Sequence, residues 1–305
     1  MASPGKRPMP DKDGWVLAAE SATTPEHLID PQVVIDPKFR ITDIPTVMRD
    51  TLDWPKSAEL MELWFSLPAR EMTKGEKKGD TKASDYPEEY TNTTMFTWAW
   101  MEQFEQVIPA LSGLLDLLQT DSAIDTIKSY LTRYLEHDPM VGRSMAISNP
   151  LDPVILHSNW QFQLVSVGYE LGKVDDLYGS LGNFALYAAI TKCTVKRNTL
   201  TNKHLIHIHE IGVYMRDTYD FRGNQYLGHW GFDSFCISPV SGILNQFNVE
   251  RHSNSINIAD GEFVEGFGNA DYQEYRRRTL KGGDLLLFSD VKTLPVNFVV
   301  PMDMP

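Results

Sequence analysis

The fold is decided by residues 204–230, HLIHIHEIGVYMRDTYDFRGNQYLGHW. Leu205 to Arg216 is rich in β-branched and aromatic residues, which is typical of a long strand. Phe221–Gln225 (FRGNQ) predicts the turn of a hairpin, because Gly and Asn tolerate positive φ. This part of the chain is therefore expected to form an antiparallel sheet.

Upstream of that stretch the apolar residues follow a helical period instead. Leu60 and Trp64 are four residues apart, as two neighbours on one helix face must be. Pro55 suits the first position of that helix, and Asp121 suits the N-cap of a later one. Because helices come first and strands follow, we predict an α+β fold with a helical N-terminal half and an antiparallel β-rich C-terminal half.

The same pattern predicts three regions. Residues 1–43 are rich in Pro and read as an extended arm. Residues 44–150 read as a mostly helical region, interrupted at 70–94 by a highly charged segment that is typical of a flexible loop. Residues 151–305 read as an antiparallel β-rich domain.

Composition restricts the classes of function. Among the 305 residues, 28 Lys plus Arg stand against 41 Asp plus Glu, so the formal net charge is −13. That charge argues against a general nucleic-acid binder and against docking on anionic lipid, and it is compatible with a basic partner. Two cysteines, no secretory signal and no run of 18 apolar residues predict a protein of a reducing compartment without a transmembrane segment, hence a cytoplasmic one.

One polar cluster is a candidate for acid–base catalysis. It consists of Tyr214, Arg216, Asp217, Asp220 and His229. These residue types can move protons, and they equally support strand ends by hydrogen bonding. Asp217 and Asp220 are three residues apart, so in a strand they are expected to face opposite ways, which weakens a paired-carboxylate mechanism.

Two other groups carry weaker signals. His207 and His209 share one strand face and are candidate metal ligands, but no third ligand stands at a recognisable spacing, so no metal site is predicted. Arg276, Arg277 and Arg278, with Tyr272 nearby, form a basic patch that is a candidate partner-binding surface. No dinucleotide or phosphate-loop fingerprint occurs, so no cofactor is predicted.

Four stretches resemble a proteobacterial family of unknown function that is often encoded beside type VI secretion effectors. They are IPTVMRDTLDWPKSAELMELWFSLPA (44–69), VDDLYGSLGNFALYAAI (174–190), IGVYMRDTYDFRGNQYLGHWG (211–231) and GNADYQEYRRRTLKGGDLLLFSDV (268–291). The third is the most specific. The resemblance brings no catalytic residues with it; it implies a setting of interbacterial competition, secretion or toxin accessory work.

Two functions from different classes follow. The favoured hypothesis is a soluble accessory protein that binds a secreted toxin or effector as an immunity protein, chaperone or adaptor, without being an enzyme. It is expected in the bacterial cytoplasm, with export through a type VI system as an option. The alternative is an antibacterial effector domain with hydrolase-like chemistry, carried by the polar cluster.

Overall fold

The computed structural model describes residues 39–136, 144–168, 174–197, 203–237, 256–259 and 265–302. Its α-helices are α1 (Ile44–Asp50), α2 (Pro55–Ser66), α3 (Lys74–Lys78), α4 (Trp98–Met101), α5 (Val107–Asp116), α6 (Asp121–Glu136), α7 (Pro153–Asn159), α8 (Asp176–Leu181) and α9 (Asn269–Thr279). Its strands are β1 (Thr91–Phe96), β2 (Ser144–Ser148), β3 (Gln161–Val167), β4 (Phe184–Arg197), β5 (His204–Tyr219), β6 (Tyr226–Trp230), β7 (Phe235–Ile237), β8 (Ile256–Ala259), β9 (Glu265–Gly268), β10 (Leu285–Ser289) and β11 (Lys292–Met302).

The described strands form two sheets. The larger has seven strands in the order β1-β10-β5-β4-β2, with β11 pairing along the first half of β5 and β3 along the first half of β4. Its long central strands β4 and β5 are antiparallel, whereas β1 and β10 are parallel. The smaller sheet has the order β8-β7-β6-β9, and its pairs are antiparallel.

The predicted division into a helical half and an antiparallel β half is wrong, although the described chain is roughly α+β. Strand β1 lies inside the region predicted to be helical and pairs in parallel with β10, almost 200 residues later. Helices α7, α8 and α9 lie in the half predicted to be β-rich. Local periodicity cannot reveal a pairing between such distant segments, since it reports only neighbours along the chain.

The segment predicted as a flexible loop at 70–94 contains a helix, two 3-10 turns and a strand. Thr73 caps α3 by accepting the N–H of Glu76, whose carboxylate accepts the N–H of Thr73 in return. Met72 is fully buried, and its N–H donates to the carboxylate of Asp284 at 2.9 Å. The few apolar residues of this segment show neither helical nor strand periodicity. The sequence therefore predicted a loop from composition alone.

The predicted hairpin at Phe221–Gln225 is also wrong. Gly223 does adopt a positive φ of 80°, as a turn requires. Strands β5 and β6 nevertheless do not pair; β6 pairs with β7 and β9 instead. Between Tyr219 and Tyr226 the chain therefore passes from the large sheet to the small one.

The buried apolar side chains form two clusters among the described residues. The first covers the large sheet and includes Met72 from the N-terminal side together with Phe288 from the C-terminal side. The second joins α1 and α2 to the small sheet and α9. Both clusters include residues from each side of the predicted boundary at residue 150; residues 1–38 of the predicted arm lie outside the described residues. Within the described part of the chain, no helix is long and apolar enough to cross a membrane.

Candidate functional site

A cavity of about 430 Å³ opens where the chain leaves β5 for the small sheet. Segments from both sides of residue 150 form its wall: α1, α2 and α3, then α8, the end of β5, the small sheet and α9. The lining residues are Met48, Trp54, Met61, Lys77, Tyr178, Gly179, Ser180, Leu181, Gly182, Asn183, Asp217, Thr218, Tyr219, Asp220, Phe221, Gln225, Leu227, Trp230, Phe235, Ile237, Asn269 and Tyr272.

Helix α8 is held against α2 by a buried carboxylate. Asp175 caps α8 itself, and the neighbouring Asp176 accepts the backbone N–H groups of Lys56 and Ser57 at 3.0 and 2.7 Å. Asp176 therefore caps the first turn of α2, where free N–H groups favour a negative charge. A Cβ on Gly179 would lie 2.6 Å from the Ser57 hydroxyl, so only glycine allows this close approach.

Phe221 and Tyr272 form an aromatic part of the lining. The ring of Phe221 stacks on that of Tyr272, with centroids 3.8 Å apart and planes 1° from parallel. Trp64 packs edge-on against both rings. The Trp64 indole N–H in turn donates to Asp284, which also forms a buried ion pair with Arg276. This packing fixes the segment after β5 against α2 and α9.

Lys77 and Asp220 form an ion pair at the cavity. The Lys77 Nζ lies 2.7 Å from a carboxylate oxygen of Asp220, whose side chain is 1% exposed. The Thr218 hydroxyl donates to the same carboxylate at 3.1 Å. The charge of Asp220 is therefore balanced by a neighbour on α3.

Asp217 is in a different electrostatic position. Burial is the largest influence on its carboxyl and raises its pKa from 3.8 to about 7. The backbone N–H of Thr218 and the charge of Arg216 favour the ionised form, while the charge of Asp220 opposes it. Among the described residues, no Lys or Arg forms an ion pair with Asp217.

Both residues line the same cavity, although the expectation was that Asp217 and Asp220 would face opposite ways along a strand. The expectation assumed a strand through both residues. Strand β5 ends at Tyr219, and the carboxylate of Asp220 accepts the hydroxyl of Thr218, a residue that alternates with Asp217 along the strand. The mutual influence of the two charges on the pKa of Asp217 agrees with this proximity.

Tyr214 and Arg216 belong to the other face of β5. The hydroxyl of the fully buried Tyr214 lies 3.3 Å from Nδ1 of His157, and its ring lies parallel to that of Tyr187 at 6.0 Å. Burial lowers the pKa of His157 to about 3, with a smaller contribution from the charge of Arg216. Neither Tyr214 nor Arg216 lines the cavity, so the candidate catalytic cluster is divided between two faces.

The remaining histidine candidates lie apart from the cavity. His229 is in the small sheet, where its Nδ1 makes a short hydrogen bond with the Tyr226 hydroxyl. The rings of His207 and His209 are stacked at 6.3 Å, and His209 makes a hydrogen bond with Thr194. In the part of the chain that the structure describes, no group of three or more His, Cys, Asp or Glu is placed to hold a metal ion.

The candidate partner-binding residues fall into two environments. Arg276 is buried, and its guanidinium lies 5.3 Å from the Trp64 ring centroid. Tyr272 is 1% exposed to solvent and lines the cavity. Arg277 and Arg278 are exposed and pair with Glu274 on the same helix. A role in partner binding stays a prediction for all four.

Several cavity residues were missed from the sequence. Lys77 comes from the supposed loop, and Trp54 and Tyr178 come from segments that are distant along the chain. Gly179 inside α8 was the available signal of a close approach, since a Cβ there would meet the side chains of Ser57 and Trp54.

Comparisons with known proteins place the chain in a family without revealing an activity. No curated protein and no solved structure is detectably similar to it. A family model described as a family of unknown function matches residues 39–304, and this range includes every residue that lines the cavity. The chain thus belongs to the family of unknown function DUF6402.

Proposed function

We propose that the protein is an accessory protein of a type VI secretion locus, which binds a toxin or effector as an immunity protein, chaperone or adaptor. The observation that carries the binding role is the cavity with its aromatic wall at the junction of the two sheets. Pockets rich in Trp and Tyr are where protein interfaces concentrate their binding free energy. The net charge of −13 favours a basic partner.

The division of the polar cluster supports binding over catalysis. A nucleophile or general base needs its partner within hydrogen-bond reach, about 2.6–3.2 Å. Tyr214 and Arg216 are on one face of β5, whereas Asp217 is on the other, and His229 lies in the small sheet. These residues therefore do not form one acid–base constellation.

The type VI setting rests on the resemblance of the four stretches, all of which lie within the range matched by the family model. The proposed location is the bacterial cytoplasm, where an immunity protein or chaperone meets its partner before export. Export together with the partner is compatible with the same role.

Co-expression with the effector encoded beside the gene tests this function. We expect a stable complex in a pull-down from the co-expressing cells, and rescue of growth when the effector is toxic. The Asp125→Asn variant, which changes an exposed carboxylate on α6, should retain both properties. Failure to form a complex together with failure to rescue growth would contradict the proposal.

A second candidate is an effector domain with hydrolase-like chemistry. The observation that favours it is Asp217, a carboxyl with a pKa of about 7 beside a second carboxylate in a cavity. This hypothesis predicts that expression of the chain alone harms the cell and that Asp217→Ala relieves the harm, whereas His229→Ala does not. Harmless expression in both the cytoplasm and the periplasm would rule it out.

A further inference from the structure

The charge balance of the cavity depends on one residue. Lys77, Asp217 and Asp220 are the lining residues with charged side chains among those described. Lys77 and Asp220 neutralise each other as an ion pair at 2.7 Å. Whatever net charge the lining has therefore comes from Asp217.

Asp217 has fewer stabilising partners than its burial requires. Arg216 and Lys77 act on its carboxyl from a distance, yet desolvation outweighs them. A buried carboxylate is stable when a cation contacts it directly and is costly otherwise. A ligand that brought a positive charge to Asp217 would supply the contact that the described residues lack.

The rest of the lining suits a cation on an apolar stem. Trp54, Tyr178 and Trp230 are among the lining residues, and aromatic rings of these types attract ammonium and guanidinium groups. Met48 and Met61 offer flexible apolar surface, against which the methylene groups of a long side chain pack well. The volume of about 430 Å³ lies within the range of about 300–1,000 Å³ that is typical of small-molecule sites, so one long side chain fits.

We propose that the cavity receives the guanidinium or ammonium group of an arginine or lysine side chain that the protein partner presents, and that Asp217 binds this group. The inference rests on the proposed function, because it takes the occupant from a protein partner. The residue by which the partner is anchored is then an arginine or lysine, and Asp217 is its point of contact on the negatively charged protein.

Model compounds test the chemistry of the cavity without the partner. N-acetyl-arginine amide and N-acetyl-lysine amide carry the cation, and N-acetyl-citrulline amide is a neutral analogue of nearly the same shape. We expect the two cationic compounds to shift the indole N–H resonances of Trp54 and Trp230 in the full-length protein. Trp64 and Trp98 do not line the cavity, and their indoles donate to Asp284 and to the carbonyl of Val213, so they serve as internal controls that do not shift.

Variants identify the residue responsible. Asp217→Asn keeps the shape of a protonated carboxyl and removes the charge, so we expect the affinity for N-acetyl-arginine amide to fall at least tenfold. Asp125→Asn is the matched control, since that carboxylate on α6 does not line the cavity. Thermal melting of both variants checks that they are folded.

The pH dependence of the unmodified protein gives an independent test. Only ionised Asp217 binds the cation, so the affinity should be about tenfold weaker at pH 6 than at pH 8, in proportion to the ionised fraction. The charged groups that act on it are Arg216, Asp220 and Lys77. Among the lining tyrosines, burial raises the pKa of Tyr219 further above this interval.

Tyr272 on α9 behaves in the same way as Tyr219, because burial raises its pKa well above 10. Titration of these two phenols therefore does not contribute to the expected change between pH 6 and pH 8. A flat pH profile would contradict the role given to Asp217.

The possible outcomes distinguish a failure of the cation site from a failure of the proposed function. Equal binding of the citrulline compound, or no shift of Trp54 and Trp230 with any compound, would overturn the inference. So would a complex with the neighbouring effector whose affinity is unchanged in Asp217→Asn, although the proposed function would then stand. Binding of the arginine compound through Asp217 without any effector complex would support the cation site and overturn the proposed function.

Discussion

The two faces of strand β5 give polar side chains different surroundings. On one face of β5, Tyr214 meets the largely enclosed His157, and neighbouring rings seal both groups. On the other face, three residues later, Asp217 borders a cavity of about 430 Å³. In the sealed region each neutral group has a partner, whereas Asp217 keeps part of its surface open to an occupant. Because of this difference, the cavity is the candidate binding site.

The same physical cause shifts both groups, with opposite consequences for stability. Burial favours the neutral form, so it lowers the pKa of His157 from 6.5 to about 3 and raises that of Asp217 from 3.8 to about 7. The contribution of neutral His157 is complete above about pH 6.5 and is lost as the pH falls toward 3. The contribution of protonated Asp217 is complete below about pH 3.8 and is lost as the pH rises toward 7.

The largest expected effect on stability comes from a substitution on the sealed face. Tyr214→Ala should reduce the free energy of unfolding by about 3–5 kcal/mol, because it leaves a cavity beside His157. Tyr214→Phe keeps the ring and should cost only about 1 kcal/mol, for the lost hydrogen bond. Urea unfolding at pH 7 measures both values. Equal losses in the two variants would show that the ring is not packed as described.

A smaller effect, of opposite sign, is expected on the open face. Asp217→Asn should increase the free energy of unfolding at pH 8 by about 1–3 kcal/mol, because the folded protein no longer holds a buried ionised carboxylate. At pH 4 the variant and the unmodified protein should be equally stable. The control Asp125→Asn should change neither value by more than about 0.5 kcal/mol. Loss of stability at pH 8 in Asp217→Asn would contradict the description of this face.

The smallest expected effect is a change in how stability depends on pH, caused by a substitution of His157. His157→Gln removes the group that resists protonation, so the fall in stability from pH 8 to pH 5.5 should shrink by about 1 kcal/mol relative to the unmodified protein. Chemical denaturation at the two pH values provides the measurement. An unchanged slope would mean that His157 titrates normally in the folded state.

Elements with strong local signals could be predicted from the sequence. Helix α2 begins at Pro55, α6 begins at Asp121 and β10 spans Leu285–Ser289, since a cap, a proline or an unbroken apolar run marks each of them. The parallel pairing of β1 with β10 could not be predicted, because it joins segments almost 200 residues apart. The turn at Gly223 was recognised, but the strands that it joins belong to different sheets.

The candidate site shows the same limit. Asp217 and Asp220 were found because they stand close together along the chain. Tyr214 was grouped with them by proximity in sequence, although the alternation of strand residues places it on the other face. Lys77 and Trp54 reach the cavity only through tertiary packing, which leaves no pattern in the residues around them.

Asp217 is a half-buried residue at the cavity, and none of the described Lys or Arg residues forms an ion pair with its carboxyl group. Titration of the Asp217 side-chain carboxyl carbon, followed by ¹³C NMR and assigned with Asp217→Asn, tests it most directly. We expect a pKa of about 7, which falls when N-acetyl-arginine amide is added. A pKa near 3.8 that does not respond to the compound would contradict the account.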